Sequence, residues 1–449
     1  MKIRFILPSL QEAKSPDWRP IKYSLFPPLG LATLAAFCHD DDQITITDEH
    51  VEVATYDDEP DLVCIETYIT NAYRAYTIAD AYRKRGVYVA MGGLHATTLP
   101  HEAKDHADTV LLGIGEDSFP RFLRDLRRKD PQPFYERGEV DLTLLPMPRR
   151  DLFQKHAYLV PNSMVFTRGC PNRCSFCYVS SFFRGGKSFY ALTLDRILKE
   201  IDSLHGRHLY FLDDNLFADK RLSRELFREM RGIGKLFQGA ITVRGVLEDD
   251  LIEEAYEAGF RSAFIGFEST NTANLKQTNK LSNIGQDYRA AIQRLDRLGV
   301  MINGSFIFGL DEDTPQTFAE TTRWAIDSGI TTATFHLLTP YPGTVLYEQM
   351  TSQNRIDHWN WSDYDTRHLV FRHPVLSKDE AERLYREAYR EFYRWRNIVT
   401  ASSSHERLRM KLKHFIYAGA WKRFEPVWNL IVKEKLFTPA RRLLEMTLK

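Results

Sequence analysis

Short runs of β-branched and aliphatic residues alternate with longer amphipathic stretches through most of this chain. In the first 140 residues, Ile3–Leu7, Gln43–Asp48, Leu62–Thr67, Val87–Met91 and Thr109–Gly113 predict short buried strands. Between them Leu29–His39, Asn71–Arg85 and Glu116–Lys129 repeat apolar residues at helical spacing. Strand and helix alternating in this way predict right-handed βαβ units and a doubly wound parallel sheet of flavodoxin or Rossmann type. Such sheets bind ligands beyond the carboxyl ends of their strands.

Pro146 and Pro148 fall within Asp141–Asp151 and predict an extended connector, so 1–140 reads as one domain and 141–160 as a linker. A second alternating series follows over 161–375. Its strands are Met164–Thr167, His208–Asp213, Ala240–Arg244, Ser262–Glu268, Met301–Phe308 and Thr332–Leu338. Leu192–Leu204, Ser223–Phe237, Glu248–Ala258, Asp287–Leu298 and Pro315–Ser328 read as the helices between them. Six βα repeats in roughly 180 residues predict a partial (βα)6 barrel, shorter than the eight-unit barrel of ~250, with its chemistry at the strand C-termini. Residues 376–449 read as a helical region.

Composition narrows the class. The 449 residues are 43% hydrophobic and 27% charged, which excludes a largely disordered chain. Sixty Lys and Arg balance sixty Asp and Glu, so no global charge favours nucleic acid. No apolar run is long enough for a spanning helix, and Met1–Pro8 lacks the long apolar region of a signal peptide; a cytoplasmic protein is expected. Residues 401–449 hold eleven Lys and Arg against four Asp and Glu, with Phe415, Tyr417, Trp421, Phe424, Trp428, Leu436 and Phe437 interleaved. That tail reads either as a cap packed on the barrel or as a basic surface helix making peripheral membrane contact.

Five cysteines exclude a disulfide scaffold. Cys38 and Cys64 stand alone in apolar surroundings and read as small core residues. Cys170, Cys174 and Cys177 fall on one loop after the first barrel strand. Three soft thiolates suit an iron–sulfur cluster or zinc. Structural zinc wants four closed ligands and a cubane normally takes four thiolates, and no fourth cysteine is near. A cluster held by three leaves one iron open.

The segment Arg168-Gly169-Cys170-Pro171-Asn172-Arg173-Cys174-Ser175-Phe176-Cys177-Tyr178 resembles the radical S-adenosylmethionine superfamily. Phe26-Pro27-Pro28-Leu29-Gly30-Leu31, Gly92-Gly93-Leu94-His95 and Gly113-Ile114-Gly115-Glu116 resemble its cobalamin-binding class B branch. So do Gly266-Phe267-Glu268-Ser269, Phe306-Ile307-Phe308-Gly309 and Thr339-Pro340-Tyr341-Pro342-Gly343-Thr344. The resemblance covers about residues 1–375 and implies a 4Fe-4S cluster whose open iron chelates S-adenosyl-L-methionine. One electron would cleave the sulfonium to a 5′-deoxyadenosyl radical that functionalises an unactivated carbon. Cobalamin-dependent C-methylation of a small-molecule or lipid-like substrate is the commonest implied outcome, with an external electron donor of flavodoxin or ferredoxin type. Cobalamin-independent cyclisation, rearrangement or carbon–carbon joining is the enzyme alternative, and a non-catalytic cobalamin or redox sensor the other.

Under that resemblance Phe176 and Tyr178 pack near adenine, or simply against the loop. Asp213 and Asp214 hold the methionine amino group, or cap the following helix. The fork of Arg244 suits a carboxylate, or a structural salt bridge. Glu268 and Ser269 end the fourth strand as site residues, and Gly309 and Gly343 permit close backbone approach. Gly92, Gly93, His95, Gly113, Gly115 and Glu116 fall on the cobalamin side. Asp48-Glu49-His50 begins the Asp-x-His-x-x-Gly pattern of cobalt-ligating proteins, but Val53 replaces the glycine. His50 is therefore expected to be a polar turn residue, leaving cobalamin without a histidine ligand.

Overall fold

The computed structural model describes residues 1–10, 25–138, 141–183, 188–424 and 444–448. The first sheet contains β1 (Lys2–Leu7), β2 (Gln43–Asp48), β3 (Leu62–Glu66), β4 (Tyr88–Gly92), β5 (Thr109–Leu111) and β6 (Phe134–Tyr135). Its order is β2-β1-β3-β4-β5-β6 and every pairing is parallel. Five of these strands follow the apolar pattern; β6 is too short to carry one.

A parallel sheet must be covered on both faces, and the strands alternate accordingly. Ile3, Phe5, Leu62 and Cys64 pack with Leu31, Phe119 and Phe122 on one side. Ile6, Val63 and Ile65 pack with Ala75, Ile78 and Tyr82 on the other. Cys64 is thus a core residue and Cys38 lies half-buried beside the same cluster. Trp361, Tyr364 and Val370 join the second cluster from far along the chain. They tie the two sheets together.

The second sheet is built from β7 (Ser163–Met164), β10 (His208–Phe211), β11 (Leu236–Ile241), β12 (Phe260–Glu268), β13 (Met301–Phe308) and β14 (Thr332–Leu337). Their order is β14-β13-β12-β11-β10-β7, all parallel, with no pairing between the two edges among the described residues: a partial barrel. An antiparallel pair, β8 (Thr167–Gly169) with β9 (Phe189–Ala191), flanks the cysteine loop. The third barrel strand and the helix after it depart from the expected pattern. Leu236–Ile241 is strand where the helical pattern was extended to Phe237, and Val243–Leu247 is helix where a strand was expected to end. Thr242 caps that helix by accepting from the Gly245 amide, and the strand ends three residues early.

Residues 141–160 run as short 3-10 turns clamped at several points. The Arg149 amide donates to the Ala32 carbonyl at 3.0 Å, and the Tyr158 hydroxyl donates to Asp48 at 2.9 Å. The helices Lys378–Phe392, Trp395–Ser403 and Leu408–Phe424 close the C-terminal side. Trp421 packs on Leu159 and Val160, and Tyr417 on Leu236 and Met301, so these two tail aromatics cap the core. Leu408, Leu412, Phe415 and Ile416 stay exposed on the other face. Trp428, Leu436 and Phe437 lie outside the described residues. No helix among the described residues is long and apolar enough to cross a membrane.

Candidate functional site

Cys170, Cys174 and Cys177 follow Gly169, whose φ of 85° and whose neighbour, the Ser188 carbonyl, both exclude a side chain. The loop is held by backbone bonds from Ser175 to the Thr278 carbonyl and from Leu346 to the Ser175 carbonyl, each 2.9 Å. Asn279 donates to the Arg173 carbonyl at 2.7 Å. Burial pushes all three thiols up, Cys177 to about 12, while Lys280 opposes this at each. Lys280 pairs with Glu268 at 2.8 Å. Burial alone would lower the lysine, but Glu268 and the nearby thiols hold it above its usual range. Lys280 lies twelve residues past Glu268 in an unremarkable polar stretch, and the sequence offered no signal for it.

Phe176, Cys177, Tyr178 and Glu268 line a crevice of about 210 Å³ together with Ser305, His336 and Thr366. Glu268 and Thr366 carry φ of 61° and 64°, uncommon for non-glycine residues and costly for a β-branched one. His336 Nδ1 lies 3.1 Å from Thr366 Oγ1. Neither was singled out from sequence, since a lone histidine inside a strand gives no chemical signal.

The other residues expected on this side separate. Asp214 faces the larger cleft described below. Asp213 is buried and accepts from the Thr167 amide at 2.7 Å. Burial pushes it up to about 7 against those hydrogen bonds, and its carboxylate anchors the strand leading to the cysteines. Arg244 sits on the Val243–Leu247 helix with its side chain 59% exposed, paired to Glu248. Its place at a strand end is corrected by the early helix, and the salt-bridge reading describes it. Ser269 Oγ accepts from the Asn271 amide at 3.1 Å. Gly309, with φ of 80°, is near Leu369, and Gly343 meets Thr98 of the first domain, where a Cβ would approach to 2.9 Å.

A cleft of about 490 Å³ opens between the two sheets. Gly92, Gly93, Gly113, Gly115 and Glu116 line it from the first domain; Thr167, Arg168, Gly169, Tyr178 and Asp214 line it from the barrel. A Cβ on Gly93 would stand 2.9 Å from the Thr67 carbonyl, and φ there is 99°. Arg168 reaches across, its Nε and Nη2 donating to Glu116 Oε1 at 3.0 and 2.9 Å. His95 is not in this cleft. It is fully buried at the seam, its Nε2 within 2.9 Å of the Tyr76 hydroxyl and 3.1 Å of Glu102, which accepts from Trp361 at 3.0 Å. A polar side chain directed into the helix packing explains the difference.

His50 is buried. Its Nδ1 lies 2.7 Å from Asp48 and its Nε2 accepts from the Leu10 amide at 3.1 Å, so both ring nitrogens are engaged. The cleft has the size of a cofactor pocket, and no histidine among the described residues lines it. Among the described residues no three His, Cys, Asp or Glu side chains gather around a point where one metal ion would sit. Cluster thiolates bind separate irons, so three thiols on one loop with a buried cation beside them suit a cluster without converging on one point.

Comparison with known proteins agrees with this geometry. Residues 164–325 match the family described as the radical SAM superfamily, and residues 23–123 match the B12 binding domain. The chain is 30% identical over 387 residues to bacteriochlorophyllide d C-12(1)-methyltransferase of Chlorobaculum tepidum, covering 83% of this chain and 84% of that protein. It is 25% identical over 352 residues to the hopanoid C-2 methylase of Rhodopseudomonas palustris, covering 75% and 66%. The fold is that of the cobalamin-dependent S-adenosylmethionine radical enzyme OxsB solved with aqua-cobalamin and S-adenosylmethionine, with a TM-score of 0.69, 14% identity, and 95% of this chain and 72% of that one covered.

Proposed function

The chain belongs to the radical S-adenosylmethionine methyltransferases that carry a B12-binding domain, and from there we propose that it methylates an unactivated carbon of a large, mostly apolar polycyclic molecule at the seam of its two sheets. A 4Fe-4S cluster, S-adenosylmethionine and cobalamin are its cofactors. When bound, the cluster supplies the electron that cleaves S-adenosylmethionine to a 5′-deoxyadenosyl radical, and the corrinoid supplies the methyl group. One observation carries the proposal: the glycine turns of the first domain and the strand leading into the cysteine loop line the same cleft. Two cofactor sites opening on each other let a carbon be activated and methylated without leaving.

In this reading Cys170, Cys174 and Cys177 ligate the cluster, and Lys280 offsets the cost of three buried thiolates. Phe176 and Tyr178 wall the adenosyl end and exclude water, which a radical reaction requires. Glu268 and Asp214 offer carboxylates to the cationic and hydroxyl groups of S-adenosylmethionine. Arg168 and Glu116 lock the domains across the cleft. The polycyclic substrate class is supported by relatives named for bacteriochlorophyllide and hopanoid methylation. A one-electron donor of flavodoxin or ferredoxin type completes the system.

The test is anaerobic reconstitution followed by incubation with S-adenosylmethionine, reductant and a panel containing a bacteriochlorophyllide and a hopanoid. Methylated product with both S-adenosylhomocysteine and 5′-deoxyadenosine is expected. 5′-Deoxyadenosine with a rearranged, unmethylated product would replace methylation by cluster-only chemistry.

A further inference from the structure

The order β2-β1-β3-β4-β5-β6 places the topological switch point between β1 and β3, where the chain winds to opposite sides. Open α/β sheets bind their ligands there, beyond the strand ends. Asp48 and His50, the remnant of a cobalt-ligating pattern, belong to the end of β2 at the sheet edge. The residues that do end strands at the switch point are Leu7 of β1 and Glu66 of β3, and both line the cleft. Glu66 is the last residue of β3 and accepts a hydrogen bond from the Tyr68 hydroxyl at 3.0 Å. Tyr68 lines the same cleft, so its 40% exposed surface opens on it.

Resting on the reading of the cleft as the corrinoid site, we propose that Glu66, steadied by Tyr68, is the hydrogen-bonding residue this chain presents to bound corrinoid in place of a histidine. The observations agree in three ways. A carboxyl group at the switch point is otherwise expensive in an apolar wall, and among the described residues only the Tyr68 hydroxyl is hydrogen-bonded to it. Gly30 lies against it, where a Cβ would stand 3.6 Å from Oε1, so a glycine leaves open the space beside the carboxylate. Burial raises the group to about 7, despite the Tyr68 bond, so it holds or releases a proton under ordinary conditions. The other charged groups facing it are Asp48 and His50 from the end of β2 and Glu116 at the head of the Gly115–Arg127 helix. Glu116 is held by Arg168, and Asp214 and Tyr178 look in from the barrel side.

A corrinoid presents amide N–H groups and a cobalt-bound water as donors, and amide carbonyls as acceptors. Whichever meets Glu66, binding then favours one protonation state over the other. Methylcobalamin, whose own groups do not titrate between about pH 6 and about pH 8, is the probe, and retention and absorption spectrum are read on reconstituted full-length protein. The wild type should change its affinity about tenfold across that range, tightening with pH if the corrinoid donates and weakening if it accepts. Glu66→Gln should flatten the profile, Tyr68→Phe should displace its midpoint, and Glu52→Gln, a raised carboxyl off the cleft, should leave it as in the wild type. Repeating the titration with aquacobalamin in both wild type and Glu66→Gln separates a cobalt-bound water from a ring amide: the ionisation of that water itself appears in both proteins, and only a water facing Glu66 adds a spectral change that Glu66→Gln lacks. A pH profile shared by wild type and Glu66→Gln, or one flat in both, overturns the assignment while leaving the cleft as the corrinoid site. Failure of wild-type protein to retain methylcobalamin at any pH overturns both.

Discussion

Replacing Lys280 by methionine strips the cation from a pair whose side chains are 12% and 10% exposed. Breaking such a pair by removing one partner costs about 3–5 kcal/mol, because the remaining charge is stranded. The stranded carboxylate has an escape, since it can take up a proton. That caps the penalty at about 1.36 kcal/mol for each pH unit above an ordinary glutamate pKa near 4.3, or roughly 3.7 kcal/mol at pH 7 and roughly 1.6 kcal/mol at pH 5.5. The sign follows: the defect is largest at neutral pH and shrinks as pH falls. Urea denaturation of the cluster-free protein, followed by tryptophan fluorescence, measures it, because Trp324 packs 5.7 Å from Phe267 just before Glu268. Lys280→Met/Glu268→Gln should recover most of the loss, since the pair is then removed rather than broken. Iron incorporation into Lys280→Met should also fall, as the three thiols lose the cation that offsets their burial. A single variant within 1 kcal/mol of wild type at pH 7, or a loss that does not shrink by pH 5.5, would refute the reasoning.

Cys170→Ala, Cys174→Ala and Cys177→Ala should each abolish both iron incorporation and 5′-deoxyadenosine formation, whereas Cys38→Ala and Cys64→Ala keep the cluster; iron analysis and chromatography decide. Gly93→Ala should destabilise the first domain by more than 1 kcal/mol and lose corrinoid, because its Cβ meets the Thr67 backbone in a left-handed conformation; thermal unfolding and gel filtration with cobalamin read both. Arg244→Ala should leave 5′-deoxyadenosine formation unchanged within about twofold, its fork being spent on Glu248 at the surface. His50→Ala should cost stability through its two lost hydrogen bonds and leave the absorption spectrum of bound corrinoid as in wild type.

Much of the architecture was legible in the chain because it is written in short-range pattern. Ile3–Leu7 and Leu62–Glu66 lie in a covered parallel sheet, and apart from Arg4 and the terminal Glu66 their residues are apolar on both faces. The helix Val243–Leu247 left no such trace. Five residues cannot show a helical period, and the cap that starts them is one threonine. Arg244 was misplaced for that reason. His95 illustrates a second limit: its position beside a glycine turn is visible locally, but the Tyr76, Glu102 and Trp361 partners that draw it into the seam are not.

The cysteine spacing, the glycine turns and the alternation of strand and helix are properties of neighbouring residues, and covalent geometry alone keeps them close enough to be read. Lys280 beside the thiols, Arg168 against Glu116 at a separation of 52 residues, and Trp361 on Glu102 across 259 are another matter. So is Glu66 at the switch point. Whether a carboxyl group is solvated, paired or left in an apolar cleft depends on which distant segments pack against it. That is fixed only when the two sheets dock, because burial and Coulomb energy are set by distance in space and not along the chain.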